Sequence, residues 1–177
     1  MTPKGTLLII GGAEDKGNNA KLERERKGRQ QKQLQILRLL LHGERKVEII
    51  TTASNYHKKV KEEYEKALNI AGIDNTGFIH IEDTKDARLD NYLKRIEKAD
   101  SIFFSGGDQL RLSTILGGTP FIDLIAKRYL EDKDLIVAGT SAGAMAMSKI
   151  MISRGGTSEV VFKNDLKTDT GFGFLDL

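Results

Sequence analysis

The 177-residue chain contains no cysteine, which excludes disulfides, thiolate metal sites and a cysteine nucleophile. It also lacks any apolar run approaching the roughly 20 residues that a membrane-spanning helix needs. The N-terminal segment has no signal-peptide cleavage pattern. These absences predict a cytoplasmic protein that does not act in a membrane.

The charged residues are numerous but nearly balanced, with 28 Lys and Arg against 25 Asp and Glu, a net charge of +3. Together with 39% hydrophobic residues, this balance is typical of a soluble globular chain. The polar, basic stretch 16–32 is interpreted as a solvated loop and outer helix face. Binding of nucleic acid or another acidic partner is the alternative there, but no aromatic residues are interleaved with the charges, so we expect no nucleic-acid partner.

Short β-branched runs alternate with amphipathic stretches along the chain. This alternation predicts a parallel sheet with helices on both faces, within a single α/β domain of residues 1–177. Residues 56–71 and 87–99 have helical spacing, as do Leu34, Leu37 and Leu41, and Thr119-Pro120 is typical of a helix start. The predicted strands are 6–10, 46–52, 77–81, 101–104 and 134–138.

Segment 139–143 reads G-T-S-A-G between a predicted buried strand and a helix of small residues. This is the strand–turn–helix context of a nucleophile elbow, in which a sharp turn exposes the central serine, here Ser141. The alternative is a glycine-rich turn that only packs tightly or holds a phosphate.

Segment 105–109, S-G-G-D-Q, follows the neighbouring predicted strand. Carboxyl ends of adjacent strands share one crevice, so amides of this turn can complete an oxyanion hole with the amide of Ala142. Gln109 can hold a substrate amide or carboxylate. The alternative is a simple turn with Asp108 as a helix N-cap.

A serine nucleophile needs a base, usually a histidine oriented by a carboxylate. His42 is predicted to end a helix, His57 to begin one and His80 to lie inside a strand, so each is interpreted as structural. Glu159, 18 residues beyond the serine, is the natural candidate for the orienting carboxylate, although a surface glutamate is the commoner case. No metal site is predicted.

Three segments in this order, 11–15 (G-G-A-E-D), 105–109 and 139–144, resemble the cyanophycinase family of serine peptidases, which includes the α-aspartyl dipeptidases. The resemblance implies a three-layer sandwich with a mainly parallel sheet, similar to class I glutamine amidotransferases. It also implies hydrolysis of an aspartate-backbone polymer to β-aspartyl-arginine dipeptides, without a metal or organic cofactor.

Residue by residue, the resemblance implies that Ser141 is the nucleophile and Glu159 the acidic member of its triad. It implies oxyanion amides at Gly107 and Ala142, and substrate contacts at Asp108 and Gln109.

The family's histidine segment, D-x-H-F-like and followed by substrate-binding arginines, is expected just after Leu177 and is absent from this sequence. We therefore expect the domain to lack its C-terminal part. The alternatives are an inactive relative that acts as a binding or scaffold protein, an aspartyl dipeptidase, and an α/β-hydrolase esterase. A homodimer is compatible with the sequence.

Overall fold

The computed structural model describes residues 2–11, 45–154 and 167–177. Several sequence predictions lie outside these ranges. They concern segment 12–15, the basic stretch 16–32, the helix containing Leu34, His42, and Glu159.

Five strands form one sheet in the order β1-β5-β4-β2-β3, and every neighbouring pair is parallel. A separate antiparallel hairpin, β6–β7, lies outside this sheet. The strand bounds are β1 Thr6–Ile10, β2 Val47–Ile50, β3 Thr76–Ile79, β4 Ser101–Phe104, β5 Ile136–Thr140, β6 Ile150–Arg154 and β7 Lys167–Thr170.

The described helices mostly connect successive strands of the sheet, as parallel pairing requires. None of those found in the described ranges is both long and apolar enough to cross a membrane. The helices are α1 His57–Ala71, α2 Asp90–Glu97, α3 Gln109–Leu116, α4 Pro120–Glu131 and α5 Ala142–Ala146, with short 3-10 turns at Asp86–Arg88 and Phe174–Asp176.

Side chains that alternate along the strands supply two separate cores. Ile49 and Phe103 pack with Tyr64 of α1 on one face of the sheet. On the other face, Ile50 and Phe104 belong to a larger core that includes residues of the other four helices. The sheet is therefore buried between helical layers, and the predicted α/β three-layer sandwich is confirmed.

The C-terminal apolar segment joins the larger core. Phe174 is almost completely buried, and its ring centroid lies 6.4 Å from those of both Phe104 and Tyr129. The Phe172 ring packs against both Phe104 and Phe174, with centroid distances of 5.4 Å and 5.6 Å.

The structure corrects the prediction for His80. Strand β3 ends at Ile79, so His80 lies just beyond it and not in a strand interior. The apolar run 77–81 predicted a longer strand because Ile81 is also buried, although it lies outside the strand. The Ile81 amide donates to Thr52 Oγ1 at 3.0 Å and not to a neighbouring strand. Apolar runs report burial, and burial continues past the last ladder hydrogen bond.

Strand β5 extends further towards the C-terminus than predicted. It begins at Ile136 and continues through Thr140, whereas the predicted run was 134–138. Gly139 pairs with Ile9 and Thr140 with Ile10 in the β1–β5 register. The backbone pairing of β5 with β1 therefore continues up to the residue before Ser141.

Candidate active site

Ser141 occupies the single residue between β5 and α5, at the carboxyl edge of the sheet. Its backbone angles are φ 50° and ψ −113°, and it is the one non-glycine residue with positive φ in the described part of the chain. Its amide donates to the Ile10 carbonyl at 3.0 Å, and its carbonyl accepts from the Met145 amide at 2.9 Å. The Ser141 residue is exposed. The geometry is that of the predicted elbow.

Close packing of α5 against β4 holds this turn in place. A Cβ at Gly143 would lie 2.3 Å from the backbone oxygen of Phe104, a distance that real Cβ atoms essentially never show. The second glycine of the G-T-S-A-G segment therefore allows the helix after the serine to approach the neighbouring strand.

The turn after β4 lies beside the serine. A Cβ built on Gly106 would be 3.5 Å from Ser141 Cβ. Gly107 has φ +147°, and a Cβ there would be 2.4 Å from the Ala53 backbone oxygen. The same oxygen accepts from the Asp108 amide at 2.9 Å, which fixes the turn against the loop after β2.

Two backbone amides near this turn, those of Gly107 and Ala142, have no protein acceptor among the described residues. Preorganised amides beside a nucleophile are the usual means of stabilising an oxyanion. The two residues predicted for that role thus lie on the two segments that meet at Ser141.

Asp108 and Gln109 have structural contacts of their own. Asp108 Oδ1 accepts from the amides of Leu110 and Arg111 at 2.8 and 3.0 Å, so the N-cap interpretation is confirmed. Gln109 Nε2 donates to the carbonyls of Ile152 and Ser153 at 2.8 and 3.3 Å. The side-chain amide of Gln109 therefore joins α3 to strand β6, and its substrate role stays a prediction.

A surface cavity of about 300 Å³ opens on the β1 side of the serine. The Gly106–Gly107 turn lies on the β4 side, so Ser141 lies between the open cavity and this turn. The cavity is lined by Ile9, Ile10, Gly11, Ser141, Ala144 and Met145.

A second group of polar side chains, which we term the histidine cluster, comprises His57, His80 and Glu82. The two imidazole rings stack with centroids 3.8 Å apart, and His80 Nε2 lies 3.4 Å from Glu82 Oε1. Burial, followed by the neighbouring His57, lowers the pKa of His80 below its ordinary value, against the opposing effects of Thr51 and Glu82.

Sequence reasoning missed the histidine cluster. One usable signal was the spacing of His80 and Glu82, because alternate residues of an extended segment point to the same side. His57 comes from the start of α1, and only the tertiary structure brings it to the other two.

The structure thus brings together Ser141, Gly107 and Ala142, with Asp108 and Gln109 next to them on α3. The two described histidines, His57 and His80, lie in the histidine cluster at the ends of β2 and β3. Glu159 is outside the described residues, so its place in a triad stays a prediction.

The fold and the site define a parallel α/β domain that carries an exposed serine on a strand–helix elbow. Comparison with known families gives the particular assignment. The profile of "Peptidase family S51" matches residues 7–177, and the chain belongs to this family. The resemblance to the cyanophycinase family, which rested on three short segments, is confirmed. This family takes the place of the α/β-hydrolase alternative.

Curated relatives agree with this assignment. The cyanophycinase of Synechococcus elongatus is 32% identical over 176 residues, covering 97% of this chain and 50% of the relative. That of Trichormus variabilis is 30% identical over 179 residues, covering 98% and 56%. The chain therefore spans about half the length of the curated relatives it matches.

Two solved structures share the fold. A peptidase from an acI-B1 actinobacterium matches with a TM-score of 0.66 and 22% identity, over 97% of this chain and 65% of that one. A Listeria monocytogenes EGD-e protein described as a peptidase E matches with a TM-score of 0.63 and 18% identity, over 97% and 76%.

Proposed function

We propose that this chain carries the nucleophile half of a serine-type peptidase that hydrolyses an aspartate-backbone polymer. The observation that carries the proposal is the exposed Ser141, held at positive φ beside the Gly106–Gly107 turn. A strained backbone at an exposed hydroxyl is typical of a residue positioned for reaction, because the surrounding structure must offset the strain.

In the proposed reaction, Ser141 Oγ attacks the substrate carbonyl carbon while a base accepts the hydroxyl proton. The carbonyl oxygen becomes an oxyanion and accepts hydrogen bonds from the amides of Gly107 and Ala142. The carbon–nitrogen bond then breaks, and the proton passes to the leaving amine. Water hydrolyses the resulting acyl ester and regenerates the serine.

The substrate class is inferred from the relatives. Those with about 30% identity over nearly the whole chain are named cyanophycinases. Together with the sequence resemblance, this supports a polymer with an aspartate backbone and arginine on its side-chain carboxyls, cleaved to β-aspartyl-arginine. An aspartyl dipeptidase activity on small peptides is the alternative within the same family.

The base is the part of the mechanism that the described residues do not supply. The sequence resemblance implies a histidine in a segment following Leu177, oriented by Glu159. His57 follows β2 and His80 follows β3, and β4 lies between these strands and β5 in the sheet order. This separation favours a second candidate function, in which the 177-residue chain by itself binds its ligand without cleaving it.

The test compares the full protein containing these residues with its Ser141→Ala variant on β-aspartyl-arginine polymer. We expect Ser141→Ala to lower kcat/KM by about 10³-fold or more, because loss of a nucleophile removes the covalent pathway. Release of the dipeptide is the measurement. Ser113→Ala is the matched control, since within the described ranges the Ser113 hydroxyl donates to the Leu110 carbonyl of its own helix.

Equal turnover by wild type and Ser141→Ala would refute the nucleophile role. If the wild type binds the polymer without releasing dipeptide, the non-catalytic function is the correct one. A covalent serine-directed inhibitor distinguishes the two, because the peptidase must be labelled at Ser141 and the Ser141→Ala variant must not.

A further inference from the structure

We propose that the histidine cluster, His57, His80 and Glu82, binds one divalent transition-metal ion of the Zn²⁺ type. One ligand atom from each residue lies within 4.8 Å of the other two. The three residues come from the start of α1 and from the segment after β3, so a bound ion would join two separate elements. The proposal is independent of the function proposed for Ser141.

One neutral tautomer of His80 aims a lone pair into this cluster. The Thr51 hydroxyl lies 3.4 Å from the Ile79 carbonyl, to which it donates. Its oxygen also lies 3.4 Å from His80 Nδ1 and accepts from it in the tautomer that carries the proton on Nδ1. A proton on Nδ1 leaves the lone pair of Nε2 directed towards the Glu82 carboxylate.

A lone pair facing a carboxylate is unfavourable unless a proton or a metal cation lies between them. The 3.4 Å from His80 Nε2 to Glu82 Oε1 fits such a cation. With Zn–N and Zn–O bonds of about 2.0–2.2 Å and a tetrahedral angle, two ligand atoms are about 3.3–3.5 Å apart. These two ligands thus already have the separation of a coordinated pair.

His57 completes the site with a modest movement. Its ring lies against that of His80, and its side chain is only half-buried, so a rotation can bring a ring nitrogen towards the ion. The adjoining surface cavity, lined by Asn55, Tyr56, His57, Lys58 and Lys59, leaves room for a water molecule as fourth ligand.

The ligand set selects the type of ion. Two imidazoles and one carboxylate suit Zn²⁺ and its neighbours, whereas Ca²⁺ and Mg²⁺ require mainly oxygen ligands. The nearby Arg111 opposes a cation, but its guanidinium Nε donates to the Thr52 carbonyl at 2.8 Å. The Thr51 contact is the expected outer-shell partner, since ligating histidines usually donate their other N–H.

The proposed site is separate from the elbow. In the sheet order, β5 is separated by β4 from β2 and β3, whose carboxyl ends lead to the three residues of the cluster. A metal here would hold the start of α1 against the segment after β3.

The test is Zn²⁺ titration of the 177-residue chain, without a polyhistidine tag and after removal of metal by a chelator. Calorimetry should show one ion per chain. We expect His57→Ala, His80→Ala and Glu82→Gln each to weaken binding by about 10-fold or more, and Thr51→Val to weaken it about 10-fold. His42→Ala is the matched control, as the third histidine of the chain, and should bind as the wild type does.

A second measurement protects against misfolded variants. Co²⁺ bound to the wild type should give the visible absorption of a four-coordinate ion, and circular dichroism should show that each variant retains its fold. Absence of Zn²⁺ binding to the wild type would overturn the proposal. So would unchanged binding in folded His57→Ala or His80→Ala, and unchanged binding in Thr51→Val would overturn Nε2 as the ligand atom.

Discussion

The elbow around Ser141 and the histidine cluster lie on the same edge of one sheet, yet they are built from different parts of the chain. At the elbow, Gly107 and Gly143 bring backbone close to backbone, and the contacts are with Ala53 and Phe104. In the histidine cluster, side chains contact side chains across the ends of β2 and β3.

This difference decides which changes each region tolerates. A site made of close backbone contacts is sensitive to an added methyl group, because main chain cannot move aside without displacing a strand or helix. A site made of side chains is sensitive to the removal of a polar atom, since rotamers can adjust to small changes in volume. The following predictions test this distinction, from the largest expected effect to the smallest.

The largest effect is expected for Gly143→Ala. The new Cβ would lie 2.3 Å from the Phe104 backbone oxygen, so α5 must shift away from β4. Overpacking of this kind costs about 1–3 kcal/mol of unfolding free energy. Denaturant unfolding measures the loss. Gly11→Ala is the matched control on the same edge, because a Cβ at Gly11 has no atom of the described residues within 4 Å.

An equal loss in Gly143→Ala and Gly11→Ala would contradict the backbone-contact description of the elbow. A loss confined to Gly143→Ala, accompanied by unchanged Zn²⁺ binding, would show that the two regions are independent.

A smaller effect, this time an increase in the free energy of unfolding, is expected for Ser141→Gly. Glycine adopts positive φ without the steric cost that a side chain has, so the change should stabilise the protein by about 1 kcal/mol, less the added chain entropy. Ser141→Ala is the matched variant, because it also removes the hydroxyl but keeps a Cβ at φ 50°. The comparison is the difference in Tm between the two variants. A lower Tm for Ser141→Gly would mean that the elbow is not strained.

The smallest effect on stability is expected at Asp132, at the opposite edge of the sheet. This position serves as a reference outside the elbow and the histidine cluster. Burial raises the pKa of Asp132, but hydrogen bonds from Arg128 and from the amides of Asp134 and Leu135 outweigh it, so the pKa lies below its ordinary value. Arg128 Nη2 donates to Asp132 Oδ2 at 2.6 Å.

A carboxylate with a lowered pKa stabilises the fold above the pKa of the unfolded chain, about 3.9, and loses this contribution as the pH falls through the folded value. Between pH 5 and pH 2 the wild type should therefore lose more stability than Asp132→Asn. Asp132 is partly exposed and solvent screens the pair, so the difference should stay below about 1 kcal/mol. Thermal unfolding at several pH values measures it, and parallel curves would contradict the prediction.

The sequence predicted the elements best where local signals were strong. Strand β1 has the predicted bounds, α1 begins one residue later than predicted, and Gly72 ends α1 in a left-handed conformation. The hairpin β6–β7 was not predicted, because β7 is exposed and lacks the apolar run on which strand prediction depends. Helix α3 was foreseen only through its cap at Asp108.

Local sequence determined that Ser141 follows a buried strand and precedes a helix of small residues, since glycine spacing and residue size act over a few positions. It also predicted Gly107 and Ala142 as oxyanion donors, a role that stays a prediction. Only the tertiary structure placed Gly106 beside Ser141, gave Gln109 its contact with β6 and stacked His57 on His80. Those contacts join residues 23 or more positions apart, and the order of strands in the sheet, which no local pattern encodes, decides which strand ends are neighbours.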